Sequence, residues 1–96
     1  VPLLSKVHEF AEQGVITGAS GRNWESYGKD VLLPAQFNAA QQALLTDPQT
    51  SGGLLVSCSP DTVDDVLKIF QQHQFESAGV IGKMTDKQDK PLVVLL

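Results

Sequence analysis

The residues best placed to do chemistry lie in one short polar stretch, "DPQTSGG", which begins at Asp47. It holds a carboxylate, two neighbouring hydroxyls and two adjacent glycines: Thr50, Ser51, Gly52 and Gly53. Successive backbone N–H groups in a turn of small residues can form a concave site for an anion. A tight turn in which Asp47 bonds its own backbone explains the same composition. The stretch therefore predicts either an anion-facing loop or a structural turn.

Nucleotide-binding motifs of the usual kind are not found in this stretch. It lacks the Gly-x-x-x-x-Gly-Lys-Ser/Thr pattern, and it lacks the lysine that reaches a nucleotide's outer phosphates. Its glycines precede an apolar run that predicts a strand, so no helix dipole is expected to point at a bound anion. Taken alone, these residues support an anion site only weakly.

Other reactive side chains are scattered and predict no further site. Neither His8 nor His73 has cysteine or carboxylate neighbours at the spacing of zinc ligands. Cys58 ends an apolar run and is expected to be an inert, packed thiol. Asp64 and Asp65 fit the solvated face of a helix. No nucleophile, base and orienting group can be assembled, and no metal site is predicted.

Composition limits the classes of protein that this sequence can belong to. The chain has 96 residues, of which 42% are hydrophobic and 19% charged, as in one soluble domain or a part of one. A net charge of −4 argues against a nucleic-acid partner, whose phosphates attract basic surfaces. No apolar run approaches the ~20 residues of a membrane span, so no membrane partner is expected. A single cysteine predicts a reducing, cytoplasmic setting.

In the first half, apolar spacing from Leu3 to Ala11 predicts a helix that Gly14 caps at its C-terminal end. Residues 17–30 hold three glycines and predict a loop, which Trp24 and Tyr27 pin to the domain. Residues 31–33 predict a short strand. Residues 34–45 predict a second helix, opened by a proline.

The second half predicts strand, helix, strand and strand. The strands are residues 54–58, 78–85 and 92–96, and the helix follows Ser59 and Pro60 and ends near His73. A right-handed crossover is expected if the strands flanking the helix are parallel. We therefore predict an α/β domain: a mixed sheet with packed helices, without internal repeats.

"LLTDPQTSGGLLVSC" closely resembles the signature near the C-terminus of the selenophosphate synthetases, the selenide, water dikinases. The resemblance continues upstream in "EFAEQGVITGASGRNW", where Gly18 and Asn23 match a glycine-containing loop and an asparagine of the family. Ala19 stands where many members have a second glycine, so the conformation of this loop can differ from that in the family. Downstream, "PDTVDDVLKIFQQHQFESAGVIGKM" is similar to the family's last helix and the strand after it.

The resemblance implies a two-domain enzyme much longer than this chain, related to the aminoimidazole ribonucleotide synthetases. Such an enzyme converts selenide, ATP and water to selenophosphate, AMP and phosphate, for selenocysteine and selenouridine synthesis. It binds ATP with Mg²⁺ between an N-terminal domain, which forms the homodimer, and a C-terminal α/β domain. The chain would be the last part of that C-terminal domain. Its binding partner would be the remainder of its own enzyme, which includes the N-terminal ATP-binding domain.

The family's reactive cysteine or selenocysteine and its magnesium-binding aspartates match no residue here. We therefore expect residues 1–96 to be a fragment that is inactive alone and that self-associates through an unpaired sheet edge or through newly exposed apolar surface. The competing hypotheses are a non-catalytic ligand-binding or dimerisation module and a domain of another ATP-using relative. The resemblance leaves two readings of Thr50 to Gly53: they face the ATP phosphates, or their glycines adopt backbone angles that other residues resist.

Overall fold

The computed structural model describes residues 1–95 and contains four α-helices and two short strands within them. The helices are α1 (Val7–Glu12), α2 (Gly18–Tyr27), α3 (Ala39–Leu45) and α4 (Val63–Gln72). The strands are β1 (Val31–Leu32) and β2 (Leu92–Val93). Single 3₁₀ turns precede β1 (Gly28–Asp30) and α4 (Pro60–Thr62). No helix in the described part of the chain is both long and apolar enough to cross a membrane.

The chain divides into two units by its internal contacts. One holds Leu4–Thr50 and Thr85–Leu96, and we call it the sheet unit because it contains both strands. The other holds Val1–Leu3 and Ser51–Met84, and we call it the α4 unit. At this level the α/β prediction is confirmed, since helices accompany a parallel sheet.

In the sheet unit, β1 and β2 are parallel, with Val31 opposite Leu92 and Leu32 opposite Val93. A further bond runs from the Val94 N–H to the Leu32 carbonyl, at 2.9 Å. Strands were predicted at both places, although the second prediction also included Leu96, which lies outside the described residues. The sheet has two strands within residues 1–95, rather than the larger mixed sheet that was expected.

The first helix ends as predicted but begins later. Lys6 adopts a left-handed conformation (φ 67°) at the N-cap, so the helical spacing that starts at Leu3 becomes a helix only at Val7. At the other end Gly14 has φ 83°, the Val15 N–H bonds the Phe10 carbonyl at 2.9 Å, and the Gly14 N–H bonds Ala11 at 3.0 Å. These bonds form a Schellman motif, in which glycine takes the left-handed position at no steric cost.

The prediction of a loop over residues 17–30 is wrong, because α2 occupies most of it. Two of the three glycines, Gly18 and Gly21, lie in the first turn, where a helix has few intrahelical bonds to lose. Gly28 lies just past the end, and a Cβ there would come within 2.6 Å of the Trp24 ring. The glycines that suggested a loop therefore mark the ends of a helix, and Trp24 packs on Gly28.

The helix predicted over residues 34–45 begins only at Ala39. Asn38 and Gln41 form a capping box: the Asn38 side chain accepts the Gln41 N–H at 2.8 Å, and the Gln41 side chain accepts the Asn38 N–H at 2.9 Å. This reciprocal pair satisfies two donors that a helix start otherwise leaves free, so it takes precedence over Pro34 as the start signal. Within the unit, α3 packs against α1 and α2.

The α4 unit contains the helix that the sequence predicted after Ser59, ending beside His73. Its inward side chains are half-buried: Val63, Val66, Leu67 and Phe70. The strands predicted at residues 54–58 and 78–85 are not present, because neither segment has a hydrogen-bonded strand partner within residues 1–95. A strand requires such a partner, and local sequence cannot supply it.

Candidate functional site

The carboxylate of Asp47 is held by two side chains of the sheet unit. Its Oδ1 accepts a hydrogen bond from Thr17 Oγ1 at 3.1 Å, and its Oδ2 accepts one from Gln49 Nε2 at 3.0 Å. Thr17 stands at the N-cap of α2, yet its hydroxyl bonds Asp47 and does not cap the helix. Asp47 thus ties the segment after α3 to the start of α2, thirty residues earlier in the chain.

A buried polar cluster continues this connection between α2 and α3. Ser20, which is 2% exposed, donates to the Ala43 carbonyl at 3.2 Å, and Asn23 Nδ2 donates to the Thr46 carbonyl at 2.8 Å. Asn23 satisfies the Thr46 carbonyl at the end of α3, where a helix leaves carbonyls without partners, and Ser20 adds a bond to the Ala43 carbonyl, which also accepts the Thr46 N–H at 3.2 Å. The cluster fixes where the Asp47 segment leaves the end of α3.

Thr17, Ser20 and Asn23 were not predicted to act together, because they fell in the expected loop. Their three-residue spacing was a usable signal, since residues three apart share one face of a helix. Asn23 had been singled out by the family resemblance alone, and the structure now gives it a contact.

The four residues of the predicted phosphate-facing loop follow Gln49 directly and are all exposed: Thr50, Ser51, Gly52 and Gly53. The boundary between the two units falls after Thr50. Within residues 1–95, none of their backbone N–H groups donates a hydrogen bond of good geometry. Residues 50 and 51 form a turn, and exposed amides beside two hydroxyls are the groups that an anion would require.

Backbone conformation bears on the structural interpretation of this loop. Ser51 has φ 53°, whereas neither Gly52 nor Gly53 has a positive φ. The glycines are therefore not needed for unusual angles. A Cβ built on Gly53 would meet nothing within 4 Å, so the space beside it is open. That openness fits a loop whose small residues admit an approaching group.

Elsewhere, the described residues contain no group of three or more His, Cys, Asp or Glu side chains arranged to hold a metal ion. His8 lies 3.4 Å from Glu12, one helical turn away. Cys58 is exposed, so the prediction of a packed thiol is wrong: the strand expected to bury it has not formed. A hydrogen bond from the Ser59 side chain, helped by the Asp61 backbone, lowers the pKa of the Asp61 carboxyl.

Comparison with known families identifies the class of domain. Residues 3–94 match the family described as AIR synthase related protein, C-terminal domain. Because the match covers nearly the whole sequence, the chain belongs to this family. No solved structure matches the chain.

Individual relatives narrow the likeness to one kind of enzyme. The chain is 56% identical over 86 residues to the selenide, water dikinase of Dechloromonas aromatica and 58% identical over 84 residues to that of Pseudomonas straminea. The Paraburkholderia xenovorans protein of the same name is 53% identical over 94 residues. These matches cover 90%, 88% and 98% of this chain but only 25%, 24% and 27% of the relatives. The chain thus spans about a quarter of the length of the relatives it matches.

Proposed function

We propose that this chain is the C-terminal portion of a longer selenide, water dikinase. The observation that supports it is an identity of 53–58% to proteins of that name over nearly all of this chain. The longer protein would make selenophosphate from selenide, ATP and water, release AMP and phosphate, and supply selenium metabolism in the cytoplasm. It would be a homodimer of two-domain subunits. A non-catalytic module is not favoured, because each of these relatives carries the name of an enzyme.

Within that enzyme, the chain's proposed role is to present Thr50, Ser51, Gly52 and Gly53 to a phosphate group of ATP. Exposed amides and hydroxyls support this role, since they bind an anion without a charged side chain. Asp47 would hold the loop in place and would not contact the phosphate itself, because both of its oxygens already accept hydrogen bonds from Thr17 and Gln49. We place the Mg²⁺ ligands and the selenium-handling residue in the remainder of the enzyme.

The experiment compares the longer protein with residues 1–96 alone. Both are incubated with ATP, Mg²⁺ and selenide, and AMP is measured with and without selenide. We expect selenide-dependent AMP from the longer protein and none from the chain. AMP formation that increases with the amount of the purified chain alone, and stops when the chain is removed, would contradict the proposal that the catalytic residues lie in the remainder of the enzyme.

A further inference from the structure

Residues 47–49 link the end of α3 to the phosphate-facing loop, and they are restrained at several points. The carboxylate of Asp47 accepts one hydrogen bond on each oxygen, from Thr17 at 3.1 Å and from Gln49 at 3.0 Å. Pro48 fixes its own φ and disfavours a helical conformation at the residue before it. The chain therefore reaches the loop in a defined conformation, although it runs along the exposed surface there.

Thr17 contributes to this restraint instead of capping its own helix. A threonine at the N-cap commonly accepts a hydrogen bond from a free N–H of the first turn, but no such bond forms at the start of α2. The Thr17 hydroxyl lies 3.1 Å from Asp47 Oδ1 and 3.3 Å from Ser20 Oγ. Ser20 is 2% exposed and bonds the Ala43 carbonyl, so this end of the contact rests on a buried base. The hydroxyl of Thr17 therefore holds the Asp47 segment.

Gln49 restrains the same carboxylate from the other side. Its side chain is exposed, and its contact with Asp47 spans only two residues. Fixing a long side chain at the surface costs conformational entropy, so a bond of this kind contributes little to the stability of a fold. Its effect is local, because it restrains the residue that directly precedes the loop. Such a contact is expected where the conformation of the loop matters for binding.

We propose that Thr17 and Gln49 are positioning residues for the ATP site, an inference that rests on the proposed function. Through Asp47 they hold residues 47–49 in the conformation from which the loop presents its amides and hydroxyls to a phosphate group. A pre-organised loop loses less conformational freedom when its ligand binds, so release of this segment weakens ATP binding without changing the chemical step. The start of α2 thus affects ATP affinity from thirty residues away in the chain.

Matched glutamine variants of the longer protein separate positioning from folding. Gln49→Ala removes one donor to Asp47, whereas Gln13→Ala removes another exposed amide that donates to a carboxylate, that of Glu9 at 3.5 Å. We expect Gln49→Ala to raise the KM for ATP about fivefold, with kcat within about twofold and the Tm nearly unchanged. Gln13→Ala should leave all three quantities unchanged. An unchanged KM for ATP in Gln49→Ala would overturn the proposal.

Thr17 is tested together with Asp47, because its effect is proposed to pass through that carboxylate. Thr17→Val should raise the KM for ATP about tenfold with little change in kcat, and Thr17→Ser should restore it. Adding Thr17→Val to Asp47→Ala should weaken ATP binding no further than Asp47→Ala alone, since both changes remove the same contact. Additive losses would overturn the proposal. A loss in Thr17→Val that excess Mg²⁺ restores would also overturn it, by indicating that Asp47 is a metal ligand.

Calorimetric titration of the same variants with ATP distinguishes this proposal from the proposed function. Normal affinity in Thr17→Val and Gln49→Ala, beside weakened affinity in Ser51→Ala, would overturn the positioning roles and leave the proposed loop contact standing. Normal affinity in all three variants would overturn both. If the longer protein forms no selenide-dependent AMP, yet these affinities fall as expected, the proposed enzyme activity is contradicted and the positioning roles stand.

Discussion

Thr17 and Asp47 form a hydrogen bond that joins the start of α2 to the segment after α3. Thr17→Val keeps the shape of the side chain and removes the donor, so we expect the longer protein to lose about 0.5–1.5 kcal/mol of unfolding free energy. Gln49→Ala removes the other donor to Asp47, but that contact spans two residues and should cost less. Urea unfolding measures both, and Thr17→Ser should restore stability. Equal losses for Thr17→Val and Gln49→Ala would contradict a long-range role for Thr17.

Ser51 and Gly53 allow the proposed phosphate contact to be separated from folding. Ser51→Ala removes one hydroxyl, and the loss of a hydrogen bond to a charged group should weaken ATP binding by about 1.5–3 kcal/mol. Gly53→Ala adds a methyl group in open space at a residue whose φ is not positive, so it should leave the Tm nearly unchanged. If a phosphate approaches that space, Gly53→Ala will also weaken ATP binding.

Melting temperature and ATP affinity are measured on the same preparations of the longer protein. Gly52→Val is the companion variant, because a branched side chain restricts the backbone as well as filling space. Normal affinity in both Ser51→Ala and Gly53→Ala would remove this loop from the ATP site. A lower Tm with normal affinity in the folded fraction would indicate a purely structural loop.

Two helices end in the same motif with different residues at the left-handed position. α1 uses Gly14, whereas α4 uses Gln74 with φ 66°. At the end of α4 the Phe75 N–H bonds the Phe70 carbonyl at 3.0 Å, and the two rings meet edge to face with centroids 6.2 Å apart. The Phe75–Phe70 ring contact is the apolar contact that accompanies a Schellman motif.

This difference predicts opposite effects of exchanging the residues. Gln74→Gly removes the steric strain of a side chain at a left-handed position and should raise the free energy of unfolding by up to about 1 kcal/mol. Gly14→Gln introduces that strain and should lower the free energy of unfolding by about 1–2 kcal/mol. Chemical unfolding of the two variants measures both effects. A loss of stability in Gln74→Gly would contradict the interpretation of Gln74 as a strained C-terminal cap.

At the scale of elements, local signals predicted helix ends better than strands. The Gly14 cap and the end of α4 near His73 were correct because they depend on neighbouring residues. The strands at residues 54–58 and 78–85 were not found, because neither segment forms hydrogen bonds with a strand within residues 1–95. α2 was missed because its glycines were counted without regard to their positions at the helix ends.

For the candidate site too, features that depend on neighbouring residues could be predicted and contacts between distant residues could not. Thr50 to Gly53 could be selected from composition, and their exposure agrees with that selection. The contacts of Thr17, Ser20 and Asn23 could not be predicted, because they join parts of the chain more than twenty residues apart. The phosphate-facing role of the loop stays a prediction until ATP binding is measured.

At the scale of the whole molecule, a chain with so little buried apolar surface is expected to associate. Self-association of the isolated 96 residues stays a prediction, with exposed leucines and valines of the α4 unit as its surface. Sedimentation over a range of concentrations measures it. A monomer at all concentrations would contradict this prediction.

The central claim, that this chain completes an enzyme which joins selenium to phosphorus, is tested most directly by the product. The longer protein is supplied with ATP, Mg²⁺ and selenide enriched in ⁷⁷Se, and the products are followed by ³¹P NMR. We expect a new phosphorus resonance split by a directly bonded ⁷⁷Se, growing together with AMP. Turnover of ATP without a selenium-split resonance would contradict the account and assign the chain to another activity within the AIR synthase related family.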